Sequence, residues 1–231
     1  MQKGPSYGIL GGTFDPPHVG HLVLAQEAYV RLRLDRVWFM PAADPPHKAG
    51  HAISPWEDRR AMVETAITGD PRFALTTVEH DRAGPSYTVD TLRILRDAWG
   101  SAARMALILG WDMFAYLPHW RDPDGVVASV DQIAVVHRPG FPRVEGDVER
   151  LVAALPGLRE KLVVLPGPEI ELAATTLRER VASGLPIRYL VSDAVRAYIE
   201  RQHLYVDTNP HADVMDATPA RPSHGEREVR P

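Results

Sequence analysis

Cysteine is absent from the 231 residues, which excludes disulfides and thiolate metal sites and leaves the redox compartment undetermined by that route. Lysine is nearly absent. It occurs only at positions 3, 48 and 161, against 23 arginines, so a lysine inside a motif stands out. No stretch approaches the roughly 18 apolar residues that a membrane-spanning helix requires. The opening Met1-Gln2-Lys3-Gly4-Pro5 runs straight into a strand-like segment without the apolar centre of a signal peptide. A cytoplasmic protein with no membrane partner is expected. Basic surface is scarce as well. The net charge is −4, whereas broad nucleic-acid binding needs enough Lys and Arg to displace condensed counterions. Nucleic acid is therefore not an expected partner, and any phosphate site has to be local. Two phosphate fingerprints are also missing, G-x-x-x-x-G-K-[ST] and G-x-G-x-x-G, which disfavours a P-loop kinase and a hydride-transferring NAD enzyme.

What is present is an alternation of short apolar runs with helical periodicity. Tyr7 to Leu10 reads as a strand closed by Gly11-Gly12, and Val19 to Leu34 carries apolar residues at helical spacing. The pattern continues with strands at Val37 to Met40, Phe73 to Val78, Met105 to Leu109, Ile133 to Val136 and Leu162 to Leu165. Helices are expected from Ser54 to about Thr68, Thr88 to Trp99, Val148 to Leu155, Thr176 to Ser183 and Ser192 to Arg201. Ser54 and Glu57, and again Thr176 and Glu179, have the spacing of capping boxes. Alternating βα units imply an α/β fold with a doubly wound, mostly parallel sheet. Such a sheet binds ligands at the carboxyl ends of its strands. One domain over residues 1–206 is expected, helical from about 168, followed by a polar, proline-rich tail over 207–231 with too little apolar surface to offset ordering entropy. No internal repeat is visible.

The first strand-to-helix turn holds the densest chemistry. Gly11-Gly12-Thr13 is followed by Asp15-Pro16-Pro17 and by His18-Val19-Gly20-His21 at a helix start. Two histidines three apart share a helical face, and at an N-terminus they join backbone N–H groups and the positive end of the dipole in a place suited to phosphate. Gly20 keeps the surface between them small. A solvated or structural pair is the competing reading. A metal pair would need further ligands, and His47, His51 and Asp44 form no recognisable set. Asp15, ahead of two prolines, suits a turn-stabilising role more than a Mg²⁺ contact. His211 and His224 stand singly in the tail.

GGTFDPPHVGH, Gly11 to His21, resembles the signature of the H-x-G-H nucleotidyltransferases, and specifically of bacterial nicotinate-nucleotide adenylyltransferases. Later segments agree in order: Pro46-His47-Lys48, Pro85-Ser86-Tyr87-Thr88, Gly110-Trp111-Asp112 with Trp120, His137-Arg138-Pro139-Gly140 and Thr175-Thr176-Leu177-Arg178-Glu179-Arg180. The resemblance spans residues 7 to about 205. It implies a Rossmann-like fold, ATP and nicotinate mononucleotide as substrates, and Mg²⁺ held mainly through the phosphates of ATP, with no protein metal site. By resemblance His18, His21, Lys48 and Arg178 are the catalytic donors. Gly11, Gly12, Thr13, Phe14, Gly20, Gly110, Asp112 and Thr175 join His18, His21 and Arg178 around ATP. Gly12, Thr13, Lys48, Thr88 and Trp120 face the nicotinate nucleotide, Trp120 by stacking on the pyridine. Lys48 also suits a phosphate contact on its own chemistry. Arg178, expected in the first turn of its helix, would oppose the dipole unless an anion is bound there. The pattern departs from the family at Leu172-Ala173-Ala174-Thr175, where I-S-x-T is usual.

The implied reaction is attack of the nucleotide's 5′-phosphate on the α-phosphorus of ATP, in line, with release of pyrophosphate. A phosphate monoester has a second pKa of about 6, so the nucleophile is already an anion and needs no general base. The alternatives are transfer to nicotinamide mononucleotide or phosphopantetheine, and a non-catalytic nucleotide-binding protein.

Overall fold

Short β-branched and aliphatic runs that bury both faces are suited to parallel strands flanked by helices, and that is how they are used. A computed structural model of the chain describes residues 4–44, 53–82, 84–136, 147–166, 168 and 170–206. Its strands are β1 (Ser6–Gly12), β2 (Arg36–Pro41), β3 (Phe73–Leu75), β4 (Arg104–Gly110), β5 (Gln132–Val136) and β6 (Leu162–Leu165). They form one six-stranded sheet in the order β3-β2-β1-β4-β5-β6. All pairs are parallel, with Gly12 opposite Pro41 on one side of β1 and Leu10 opposite Ile108 on the other.

The pleat divides the core. Ile9, Leu107, Leu109, Ile133 and Val135 point to one face, where they meet α3 (Thr88–Trp99), α4 (Trp111–Tyr116), α5 (Pro123–Ser129) and α7 (Leu158–Lys161). Leu10, Ala106, Ile108, Ala134 and Val136 point to the other, against α1 (Val19–Leu32) and α2 (Trp56–Ile67). The helix α6 (Asp147–Ala154) adds Leu151 and Val152 to the first layer. Each fully buried Leu, Ile or Phe contributes about 1.5–3 kcal/mol. The C-terminal helices α8 (Ala174–Ala182) and α9 (Asp193–Arg201) form a smaller cluster of Leu177, Ile187, Val191, Val195 and Ile199 around Met62 of α2. Among the described residues no helix is long and apolar enough to cross a membrane.

Several expected boundaries move. The helix expected from Ser54 begins at Trp56 with Pro55 as its cap. The Ser54 N–H goes to Asp15 and its carbonyl accepts from Arg59, so tertiary partners replace the expected capping box. The α8 helix begins at Ala174 with Ala173 as N-cap, which removes the Thr176–Glu179 box and carries Arg178 out of the first turn. The edge strand β3 ends at Leu75 rather than Val78, because the chain turns there, with His80 N–H bonded to the Thr77 carbonyl. The helices α4, α5 and α7 were not expected. The expected tail, the His137–Gly140 segment and Lys48 with its neighbours His47 and His51 lie outside the described residues.

Candidate active site

The order β3-β2-β1-β4-β5-β6 reverses the chain's direction of progress between β1 and β4, and loops that leave such a switch point in opposite directions open a crevice. Here it is a cleft of about 590 Å³, lined by the Gly11–Asp15 turn, His18, His21, Gly110, Asp112 and Thr175, with Thr88 and Trp120 in the same wall. The helices α1, α3, α4 and α8 all start at its lining, through His18, Thr88, Gly110 and Ala173. Each helix start presents roughly half a positive charge. In a chain of net charge −4, these helix starts concentrate positive potential from oriented backbone at one cleft.

His18 is the N-cap of α1, in extended conformation, so it stands just outside the helix whose first turn holds His21. The expected shared helical face is replaced by a stack, with ring centroids 3.8 Å apart at 29°. The His18 N–H donates to His21 Nδ1 at 3.2 Å, which leaves Nε2 as the protonated nitrogen of the neutral ring. Two N-terminal N–H groups of α1 are already used, Val19 bonded to the Leu190 carbonyl and His21 to the His18 carbonyl. Gly20 makes the stack possible, because a Cβ there would lie 3.0 Å from His18 Nδ1. Phe14 packs its ring against His21 at 4.9 Å. It takes the left-handed conformation, φ 51°, at 1% exposure, a conformation that costs a non-glycine residue of order 1–2 kcal/mol and is offset by burial.

Arg178 of α8 is bonded to the same turn. Its Nη1 donates to the Asp15 carbonyl at 2.7 Å, and its Nη2 lies 3.4 Å from Thr175 Oγ1. Asp15 is 2% exposed, and its carboxylate accepts from the Ser54 N–H at 3.2 Å and from the Tyr205 hydroxyl at 2.6 Å. These bonds come from distant segments rather than from the turn itself, so the carboxylate ties the turn to the fold instead of capping it locally as expected. Arg59, also buried, spans the loops with bonds to the carbonyls of Thr13 at 2.9 Å and Ala42 at 2.7 Å. Burial pulls its guanidinium below the ordinary value, against the nearby Asp15 charge.

Opposite lies the start of α3. Ser86 Oγ accepts from the N–H groups of Ala43 and Asp44 at 3.1 and 3.0 Å, binding the loop after β2 to Tyr87 and Thr88. The Ser86 hydroxyl also reaches Glu79, and Thr91 Oγ1 donates to Glu79 Oε1 at 3.0 Å. Burial pushes the Glu79 carboxyl above the usual glutamate range, and these bonds oppose the shift. Trp120 packs its inner side on the core and lines the cleft with the rest. The Arg121 guanidinium lies 4.5 Å from the Tyr87 ring centroid. Among the described residues Asp112 Oδ1 is buried without a hydrogen-bond partner, a free acceptor in the cleft wall.

The cleft therefore gathers Gly11, Gly12, Thr13, Phe14, His18, His21, Thr88, Gly110, Asp112, Trp120 and Thr175. Gly20 lies directly behind the histidine stack and Arg178 one hydrogen bond from the wall. Sequence reasoning missed Glu79, Arg59 and Tyr205. A lone acid, an arginine among 23 and a tyrosine near the tail give no local signal. Among the described residues no group of three or more His, Asp or Glu could hold a metal ion.

A cytidylyltransferase-like family model matches residues 9–188. A protein of Roseiflexus sp. (strain RS-1) named probable nicotinate-nucleotide adenylyltransferase is 46% identical over 205 residues, 89% of this chain and 100% of that one. One of the same name from Thermomicrobium roseum is 42% identical over 198 residues, 86% and 90% of the two chains. The fold is also that of a Plasmodium falciparum nicotinic acid mononucleotide adenylyltransferase solved with NaAD, at TM-score 0.71 and 17% identity over 87% of this chain and 97% of that one.

Proposed function

Since the chain belongs to the cytidylyltransferase-like family, and within it to the nicotinate-nucleotide adenylyltransferases, we propose that it transfers the adenylyl group of ATP to nicotinate mononucleotide. The products are nicotinate adenine dinucleotide and pyrophosphate, a step of NAD biosynthesis, carried out in the cytoplasm. The observation that carries this reading is one cleft lined both by the stacked His18–His21 pair among converging helix starts and by Thr88 and Trp120.

One oxygen of the nucleotide's 5′-phosphate forms a bond to the α-phosphorus while the bond from that phosphorus to the bridging oxygen breaks, and the electron pair leaves with pyrophosphate. With a second pKa of about 6 the nucleophile carries its own charge at neutral pH, so no side chain has to take a proton. The protein positions the two reactants and stabilises charge on the phosphoryl oxygens. His18 and His21 donate to the α-phosphate region from the start of α1. Arg178, held at the Asp15 carbonyl, and Lys48 supply the permanent cations. Asp112 accepts from the adenosine ribose, and Trp120 stacks on the pyridine beside Thr88. Mg²⁺ would be held mainly through the phosphate oxygens of ATP and would supply neutralisation of part of the triphosphate charge.

Purified protein with ATP and Mg²⁺, offered nicotinate mononucleotide, nicotinamide mononucleotide and phosphopantetheine in parallel, tests the substrate. Pyrophosphate release is expected to be fastest with the nicotinate nucleotide. Faster release with either of the others would reassign it, and nucleotide binding without release from any of them would make the chain a sensor.

A further inference from the structure

Tyr205 lies 190 positions from Asp15 in sequence, yet its hydroxyl donates to Asp15 Oδ1 at 2.6 Å. The ring packs on the C-terminal cluster around Met62, Leu177 and Val195. Its backbone adopts φ 64°, a conformation unfavourable for any residue but glycine, so this placement is held by its contacts. Among the described residues the Asp15 carboxylate has three donors within reach. The Ser54 N–H lies 3.2 Å from Oδ2 and Tyr205 takes Oδ1, while the third, Arg178 Nη1, stands 4.0 Å from Oδ2 and is bonded instead to the Asp15 main-chain oxygen at 2.7 Å. A carboxylate at 2% exposure cannot replace a lost donor with bulk water and recruits the nearest one available. Among the described residues the nearest cation is Arg178.

We infer that Tyr205 is a positioning residue for adenylyl transfer, whose hydroxyl satisfies Asp15 and so keeps the Arg178 guanidinium from collapsing onto the carboxylate. This rests on the function proposed above, in which Arg178 faces the triphosphate. Without the hydroxyl, Arg178 turns from the main-chain oxygen to the side chain of Asp15. Its charge is then neutralised within the protein, and Asp15 loses both the bond from Tyr205 and the Arg178 bond to its main-chain oxygen, while the neighbouring Val19 N–H keeps its bond to the Leu190 carbonyl.

The molecule supplies its own control. Tyr198 of α9 donates to Asp58 of α2 at 2.8 Å, another tyrosine-to-aspartate bond joining the C-terminal helices to the body, and neither residue lines the cleft. Tyr205→Phe and Tyr198→Phe each delete one hydroxyl and keep the ring. Melting temperatures of the two are expected to fall together. The kcat for dinucleotide formation is expected to fall about 10-fold or more in Y205F, as displacement of a distant positioning group does, with KM for nicotinate mononucleotide unchanged and Y198F close to wild type. Binding of an α,β-methylene analogue of ATP, measured by calorimetry, weakens in Y205F alone. In an Arg178→Ala background the Y205F change costs less than about two-fold, because coupled sites are not additive. Equal kinetic losses in the two tyrosine variants, an unaffected Y205F, or a full Y205F loss on top of R178A would overturn the inference. A wild type that forms no dinucleotide refutes the proposed function separately, and the calorimetric comparison still decides the role of Tyr205.

Discussion

Glu79 is buried in the wall of the cleft with hydroxyls of Ser86 and Thr91 on its carboxyl, and burial raises its pKa above the unfolded value of about 4.3. The sign of the linkage follows. The folded state favours the protonated acid, so its contribution to stability is complete below the unfolded pKa and is lost as the pH rises through the folded one. Once ionised, Glu79 is a cost. Glutamine cannot ionise and keeps an acceptor for Thr91. The melting temperature of Glu79→Gln relative to wild type should therefore climb as the pH rises from the unfolded pKa through the folded one. A difference that stays flat or falls over that range would contradict the burial argument. At this scale the sequence was informative only where residues cluster. The histidines, glycines and Thr88 belong to dense local motifs, whereas Glu79, Arg59 and Tyr205 act on partners brought in by the fold. Arg59 reaches back 46 positions to the Thr13 carbonyl, a relation no window of sequence displays.

Among the elements, α3 and β6 were legible to the residue, because apolar periodicity and flanking turns agree there. The helices α4 and α5 were not, since they have six and seven residues, too few for a periodic signal. The two expected capping boxes failed for a single reason, that a Ser or Thr near a helix start caps only if the backbone begins its turn there. The α8 start shows the consequence. Ala173 is its N-cap, with no side-chain acceptor, at the position where the family resemblance implies a serine, and it lines the cleft. Serine in place of alanine at an N-cap contributes about 1 kcal/mol. Ala173→Ser should raise the stability to urea by about that amount and lower KM for ATP, with kcat little changed. An unchanged unfolding midpoint would show that the free N–H groups of α8 already have partners.

On the scale of the whole molecule, parallel strand order is what turns separate motifs into one site. The turn after β1 and the segment after β4 are about 100 positions apart in sequence but leave neighbouring strands at the switch point. The C-terminal helices then close the third side by packing on α2. The doubly wound, mostly parallel sheet expected from the alternation is the one observed, here parallel throughout. The strand order itself had no sequence signal, because any order that buries the same apolar runs satisfies the same pattern. Charge also acts at this scale. On the proposed function a chain of net charge −4 draws its polyanionic substrate to the converging helix starts with Arg178 and Lys48, so mutating surface arginines elsewhere should leave turnover unaffected.

The central claim is that the Gly11–His21 segment stabilises adenylyl transfer to nicotinate mononucleotide. It is tested most directly by the initial rate of dinucleotide formation from ATP and nicotinate mononucleotide in wild type, His18→Ala and His21→Ala. Turnover by wild type is predicted, with kcat lower by about 10²–10³ in each variant, the usual cost of removing one transition-state donor. No dinucleotide from wild type, or nearly full kcat in either histidine variant, would contradict it.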